Sequence, residues 1–223
     1  MGGSWDGNEN KIIPDVYQRY SSQSSLVMQP STRGIVTIAK DLAWGPVGVV
    51  QTIDAGEDMT PYTGYDATGP SNRWVQEMLK GTNRTSGPYR ILLYRLSGTG
   101  GKEATVTTGS LTATAKYPGT RGNDITIVVT DLTEPEDSFQ VSTVVDGRIV
   151  DSQIIETINQ LVTNDWVTFS GTGAPTATVG APMTGGANPV SAASDWSDYT
   201  EVIEAYRFDA MVYDGTDSTV RTA

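Results

Sequence analysis

Two glycine-rich breaks constrain this chain more than any other feature. Ser97-Gly-Thr-Gly-Gly101 and Gly185-Gly-Ala-Asn-Pro189 enclose a stretch whose charge differs from that of its flanks. Residues 31–100 carry seven basic and six acidic side chains, residues 101–188 four and ten, and residues 189–223 two and seven. By composition the breaks are flexible connectors, and a distinct stretch between two of them is the pattern of a domain inserted into a host at neighbouring exposed points. The organisation read from this is an extended N-terminal arm at 1–30, a discontinuous α/β domain at 31–100 and 189–223, truncated at its C-terminus, and an inserted β-rich domain at 101–188.

The flanks predict a parallel or mixed sheet. Gly34 to Ala39 is short and β-branched, a strand. Ser71 to Lys80 places Trp74, Val75, Met78 and Leu79 on one helical face, with Pro70 at the start and Gly81 past the end. Ile91 to Leu96 is almost unbroken in its apolarity, which suits a strand covered on both sides. After the insertion, Trp196, Tyr199, Val202, Ile203 and Tyr206 recur at helical spacing behind Ser194 or Asp195 as a cap, and Phe208 to Tyr213 reads as a further strand.

The insertion has a different texture. Stretches 103–108, 111–117, 124–130 and 139–145 are rich in Thr and Val with period two, Asp146-Gly147 signals a hairpin turn, and Trp166 to Phe169 reads as another strand. One helix is expected within it: Ile154, Ile155, Ile158, Leu161 and Val162 form an apolar stripe behind Asp151 or Ser152. Residues 1–30 fit neither part. They read as an arm with a few apolar anchors.

Chemistry is constrained mainly by what is missing. The chain has no cysteine and no histidine, so thiolate metal sites, disulfides, a cysteine nucleophile and the usual general base are excluded. A net charge of −11 leaves no basic footprint for nucleic acid, and no apolar run reaches the length of a membrane span. Gly98 to Lys102 ends in Gly-Lys, but Leu96 stands where a phosphate-binding loop needs its first glycine and Glu103 where it needs Ser or Thr. Asp131, Glu134, Glu136 and Asp137 surround Pro135, and Asp195, Asp198, Glu201 and Glu204 line one side of the last helix. The first group matches no calcium loop and reads as a solvated turn; the second reads as a solvated helix face that could also make an ionic contact with another subunit. Trp5 and Trp44 could stack on sugars, although Trp44 in Trp-Gly-Pro reads more plainly as a packed turn. These residues predict no catalytic site, no cofactor and no metal. A surface or carbohydrate-binding β module without catalysis is the alternative they leave open.

Four stretches carry a family resemblance: Gly2 to Gly7 with Ile13-Pro-Asp-Val-Tyr17, Arg33 to Ala39 leading to Trp44-Gly-Pro46, Tyr117-Pro-Gly-Thr-Arg-Gly-Asn123, and Met183-Thr-Gly-Gly186. In them the chain resembles the N-terminal half of contractile-tail sheath proteins of myophages, their prophage relatives and phage-tail-like bacteriocins. Asp15 departs from a glycine usual in the family's arm. The resemblance implies a structural subunit that forms hexameric rings of sheath subunits around an inner tail tube and contracts on a signal from the baseplate. It implies a virion tail location, with assembly in the bacterial cytoplasm. It also implies an arm that adds a strand to a neighbour, with Ile12, Ile13, Val16, Tyr17, Gln18 and Tyr20 as the subunit-contact residues. A chain lacking the second half is expected to remain monomeric.

Overall fold

The computed structural model describes residues 34–81, 87–215 and 218. The arm residues Ile12, Ile13, Val16, Tyr17, Gln18 and Tyr20 lie outside them. In chain order the elements are β1 (Ile35–Lys40), β2 (Val50–Asp54), α1 (Thr60–Thr63), α2 (Arg73–Leu79), β3 (Arg90–Arg95), β4 (Thr105–Thr108), β5 (Leu111–Ala115), β6 (Ile125–Leu132), β7 (Ser138–Val145), β8 (Arg148–Ile155), β9 (Val167–Ser170), β10 (Thr178–Pro182), α3 (Ala193–Ile203) and β11 (Ala210–Val212).

The first sheet has the order β11-β1-β3-β2. It is mixed: β1 runs parallel to both β3 and β11, whereas β2 is antiparallel to β3. The apolar run of β3 is explained by two cores on opposite faces. Ile91 and Leu93 pack with Ile38, Ile53, Met59, Val75 and Leu79, while Leu92, Tyr94 and Leu96 pack with Ala39, Val50, Tyr199 and Ile203. A strand buried on both faces needs apolar residues at consecutive positions. α2 covers one face and α3 the other. Tyr199 of α3 reaches the sheet through a 2.8 Å hydrogen bond between its hydroxyl and that of Thr37.

α3 begins at Ala193, so Asp195 stands in its first turn rather than at the cap. Its carboxylate accepts from the amide of Ala192 at 2.7 Å and from that of Gly98 at 3.1 Å, tying the helix start to the chain after β3.

β4 to β10 form a sandwich of two antiparallel sheets, β10-β6-β7-β8 and β4-β5-β9. Leu111, Ala113 and Ala115 face Ile125, Ile127, Val129, Val141 and Val145 across a single core. The β7–β8 hairpin turns on Asp146 and Gly147, whose φ values of 51° and 74° suit a two-residue turn with both central residues left-handed. On the outside of the three-stranded sheet, Thr105, Thr107, Thr112, Thr114, Thr168 and Ser170 share one face and make it entirely hydroxyl.

The helix expected within the insertion is absent. Residues 148–155 form strand β8, followed by a short 3-10 turn at Ile158–Gln160. The apolar stripe fits a helix by spacing alone, but Ile149, Val150, Ile154 and Ile155 are β-branched, and the Asp146-Gly147 turn delivers them in register against β7. Ile155 and Ile158 then enter the core together and Leu161 packs against it, while Ile154 and Val162 stay exposed. β2 and β10 were not anticipated. β2 buries Val50 on one face and Ile53 on the other, with no period-two alternation, and β10 is an irregular edge strand containing Gly180 and Pro182.

Candidate functional site

The most densely connected part of the molecule lies where the mixed sheet meets the sandwich. The two connecting segments pair antiparallel at Thr99–Val190, Lys102–Ala187 and Thr105–Thr184, with backbone hydrogen bonds of 2.8–3.0 Å. The stretches that compose like loose connectors therefore form a hydrogen-bonded neck. Gly98 to Lys102, the failed phosphate loop, is one of its strands.

Three large side chains cross the boundary beside this neck. Trp44, from the turn after β1, is 1% exposed and belongs to the sandwich core. Its ring meets Trp166 at 4.9 Å and Tyr117 edge-on at 5.4 Å. Burial removes it from any sugar-stacking role, and Trp5 lies outside the described residues. Arg95, at the end of β3, is 1% exposed and donates to the carbonyls of Gly45 and Pro118, both at 2.5 Å. Burial pushes its pKa down to about 10, which leaves it charged at neutral pH.

Arg121 reaches in the opposite direction. Its Nε donates to the Gly64 carbonyl at 2.8 Å, and its two terminal nitrogens donate to Asp146 at 2.9 and 2.5 Å, one of them also to Asp124 at 2.9 Å. The guanidinium lies over Tyr65 with its carbon 4.2 Å from the ring centroid. Its hydrogen bonds hold the Asp146 carboxyl below the usual carboxylate range.

Most of the Tyr117–Asn123 run is thereby tied to its surroundings. Tyr117 meets Trp44 edge-on, Pro118 accepts from Arg95, and Thr120 donates to the Asn188 side chain at 2.8 Å. Asn123 exchanges two hydrogen bonds with the backbone of Gly186, at 3.0 and 2.9 Å, and so joins this run to Met183–Gly186. Gly119 has φ 143°, and a Cβ there would run into the Ala43 carbonyl. Gly64, at φ 76°, lies where a Cβ would meet Trp44 and Arg121 at 2.9–3.0 Å. Glycine allows both approaches. One sequence signal could have located the junction: Arg95 is a charge placed directly after the apolar positions 91–94 of a buried strand.

The remaining candidates stay apart. Asp131, Glu134, Glu136 and Asp137 are exposed around the β6–β7 turn, and Asp198 and Glu201 are exposed on α3 with Glu204 at its C-cap. Among the described residues no three acidic side chains gather as a metal would require, and no helix is long and apolar enough to cross a membrane. An open cleft of about 610 Å³ lies between β8 and residues 162–166, lined by Lys116, Val150, Gln153, Val162 and Trp166 among others. Its polar groups are occupied in holding the loop. Gln153 pairs with the backbone of Val162 through two 2.8 Å hydrogen bonds, and Asn164 bridges Thr143 and Asp151 while accepting from the amides of Trp166 and Val167.

A β-sandwich is thus clasped to a mixed sheet through Arg95 and Arg121. The chain belongs to the phage tail sheath protein family. Residues 33–96 match the N-terminal region of the tail sheath protein Gp18 domain III, and residues 99–188 match the phage tail sheath protein beta-sandwich domain. Among solved structures it is similar to a sheath tail protein from Desulfitobacterium hafniense, with TM-score 0.78, 38% identity and coverage of 93% of this chain and 47% of that one. A sheath tail protein from Listeria innocua gives TM-score 0.74 at 26% identity, covering 87% of this chain and 44% of that one. The phage-like element PBSX protein XkdK of Bacillus subtilis is 27% identical over 94% of this chain and 47% of its own length. The chain thus spans about half the length of the curated relatives it matches.

Proposed function

We propose that this chain is part of a contractile tail sheath subunit that polymerises as hexameric rings around an inner tail tube and, triggered at the baseplate, shortens to drive that tube through a target cell envelope. The role is mechanical and needs no catalytic residue, cofactor or metal. Its partners are other sheath subunits, the inner tube protein and the baseplate, with no nucleic acid or membrane among them. It is assembled in the bacterial cytoplasm and works in the virion tail. Residues 101–188 are an insertion between the two parts of the host domain, 31–100 and 189–223, and residues 1–30 are an arm whose Ile12, Ile13, Val16, Tyr17, Gln18 and Tyr20 add a strand to a neighbouring subunit's sheet.

The observation that carries this reading is the junction. A subunit that moves as a rigid body while arms hold it to its neighbours must keep its own parts fixed. Arg95 and Arg121 crossing in opposite directions, with Trp44 packed into the sandwich core, supply that fixity. The test is electron microscopy of this chain expressed alone and of the same reading frame carried on to full family length. The long form is expected to give regular tubes, lost on deleting residues 1–20, and the 223-residue chain to give none and to run as a monomer at micromolar concentration. Tubes from the short chain, or from the long chain without its arm, would overturn the reading.

A further inference from the structure

Among the described residues, the exposed large aliphatic side chains of the sandwich are unevenly placed. Ile149, Val150, Ile154 and Val162 stand on or beside β8, whereas Val179 stands alone on β10. In the sheet order β10-β6-β7-β8 these are opposite edges.

Neither edge is built to take a further strand. At β8 the register shifts between Thr143 and Val144, and the Gln153 side chain holds the backbone of Val162 through two 2.8 Å hydrogen bonds. At β10 the register shifts between Thr178 and Ala181, and Pro182 has no amide hydrogen to donate. Bulges and proline at an edge block edge-to-edge pairing. A contact made at these edges is therefore one of side chains.

The edges are complementary in shape. Beside β8 lies the open cleft of about 610 Å³, with Val150 and Val162 in its lining. Its charges are spent within the chain: Lys116 lies 3.5 Å from Asp165, and Asp151 accepts from Gln153 and Asn164. What the cleft leaves uncovered is aliphatic surface. At β10 the irregular register carries Val179 out of the sheet, fully exposed, next to Gly180. One edge offers a hole and the other a knob.

We propose that Val179 of one subunit enters the cleft between β8 and residues 162–166 of the next. The occupant is a second copy because the chain carries both halves of the contact, at opposite edges where they do not meet within one molecule. A contact between two different patches of identical chains is heterologous. Repeated with one rotation it closes a ring or continues as a helix, the same-sense arrangement that the proposed sheath role requires. Ile149 and Ile154 cannot be the knob in such an arrangement, because they share the β8 edge with the cleft. Charge does not oppose the approach: no charged residue occurs between Asp165 and Asp195, so β10 meets a neighbour of net charge −11 at little electrostatic cost. One anchored side chain falls well short of the ~800 Å² per partner of a stable complex, so the contact is weak for the free chain and gains weight once other links hold subunits together. The inference rests on the proposed role in assembly and adds one named contact to it.

The chain has no cysteine, so disulfide trapping reads this contact without background. Val162→Cys and Val179→Cys forms of the 223-residue chain are mixed at near-millimolar concentration under a mild oxidant, and the crosslinked peptides are identified by mass spectrometry. The 162–179 crosslink should form at least about tenfold faster than the crosslink between Val179→Cys and Val190→Cys, an open position outside the cleft. Adding Val150→Asp to the Val162→Cys chain should bring the rate down to that control. The double variant Val162→Cys/Val179→Cys should give a ladder of multimers. Val150→Cys serves as a second acceptor if Val162→Cys lowers the melting temperature. Equal rates for the two mixtures, a 162–179 rate untouched by Val150→Asp, or a double variant that stops at dimers would overturn the proposal. Because trapping reads the free chain and the tube assay reads the long form, the two can fail separately.

Discussion

The mixed sheet and the sandwich bury their cores by different means. In the mixed sheet, β3 feeds alternate residues into two clusters roofed by α2 and α3, and large aliphatics such as Ile91, Leu92 and Leu93 fill them. In the sandwich one core lies between two sheets, with Ala104, Ala113 and Ala115 among its members and much of its bulk supplied by Trp166 and by Trp44, which comes from the other side of the boundary. The sheets are each complete as hydrogen-bonded units, but the sandwich core is not complete without Trp44 from the turn after β1. The sandwich is thus fixed to the mixed sheet by packing as well as by the paired neck, a solid joint.

Removing that shared residue should disturb the comparison most. Trp44→Ala should cost about 3–5 kcal/mol, as large aromatic truncations in cores do. The loss should fall on the sandwich: amide exchange of β5, β6 and β9 should accelerate more than that of β1 and β3. Equal acceleration on both sides would mean that Trp44 supports its own sheet instead.

Arg121→Ala comes next, at about 2–3 kcal/mol measured by urea unfolding. The figure is below the usual cost of breaking a fully buried pair because the freed Asp146 is largely solvent-exposed and can hydrate. Arg95→Met is expected to be milder, since it removes a buried cation along with two hydrogen bonds to carbonyls and leaves no unpaired charge behind.

Acid provides a gentler probe. The folded-state pKa of Asp146 lies below its ordinary value of 3.8, chiefly through its hydrogen bonds to Arg121. A depressed carboxyl contributes stability that is present above the ordinary value and lost as pH falls through the folded one. Stability measured by denaturant from neutral pH downwards should therefore fall below pH 3.8 by less in Asp146→Asn than in the unaltered chain. The smallest effect belongs to the hydroxyl face, where Thr168→Lys should change stability by no more than about 0.5 kcal/mol.

Much of the fold was legible because it rests on local patterns. The double burial of β3 shows in its uninterrupted apolar run, and the β7–β8 turn shows in Asp146-Gly147. The β8 segment misled because its isoleucines satisfy helical spacing and strand pairing equally, and only the neighbouring hairpin decides between them. The junction was half legible. The Tyr117–Asn123 run stood out through resemblance, but its partners Ala43, Trp44, Gly64 and Arg95 lie tens of residues away, and no local signal links them. The neck was read as flexible because glycine content reports the freedom of an unpaired chain and not whether that chain finds a partner.

Differential scanning calorimetry tests the solid joint most directly. The unaltered chain should melt in one cooperative transition, with calorimetric and van't Hoff enthalpies in agreement, and Arg121→Ala should split it into two. Two independent transitions in the unaltered chain would contradict the account, because the sandwich and the mixed sheet would then be separate bodies on a loose tether.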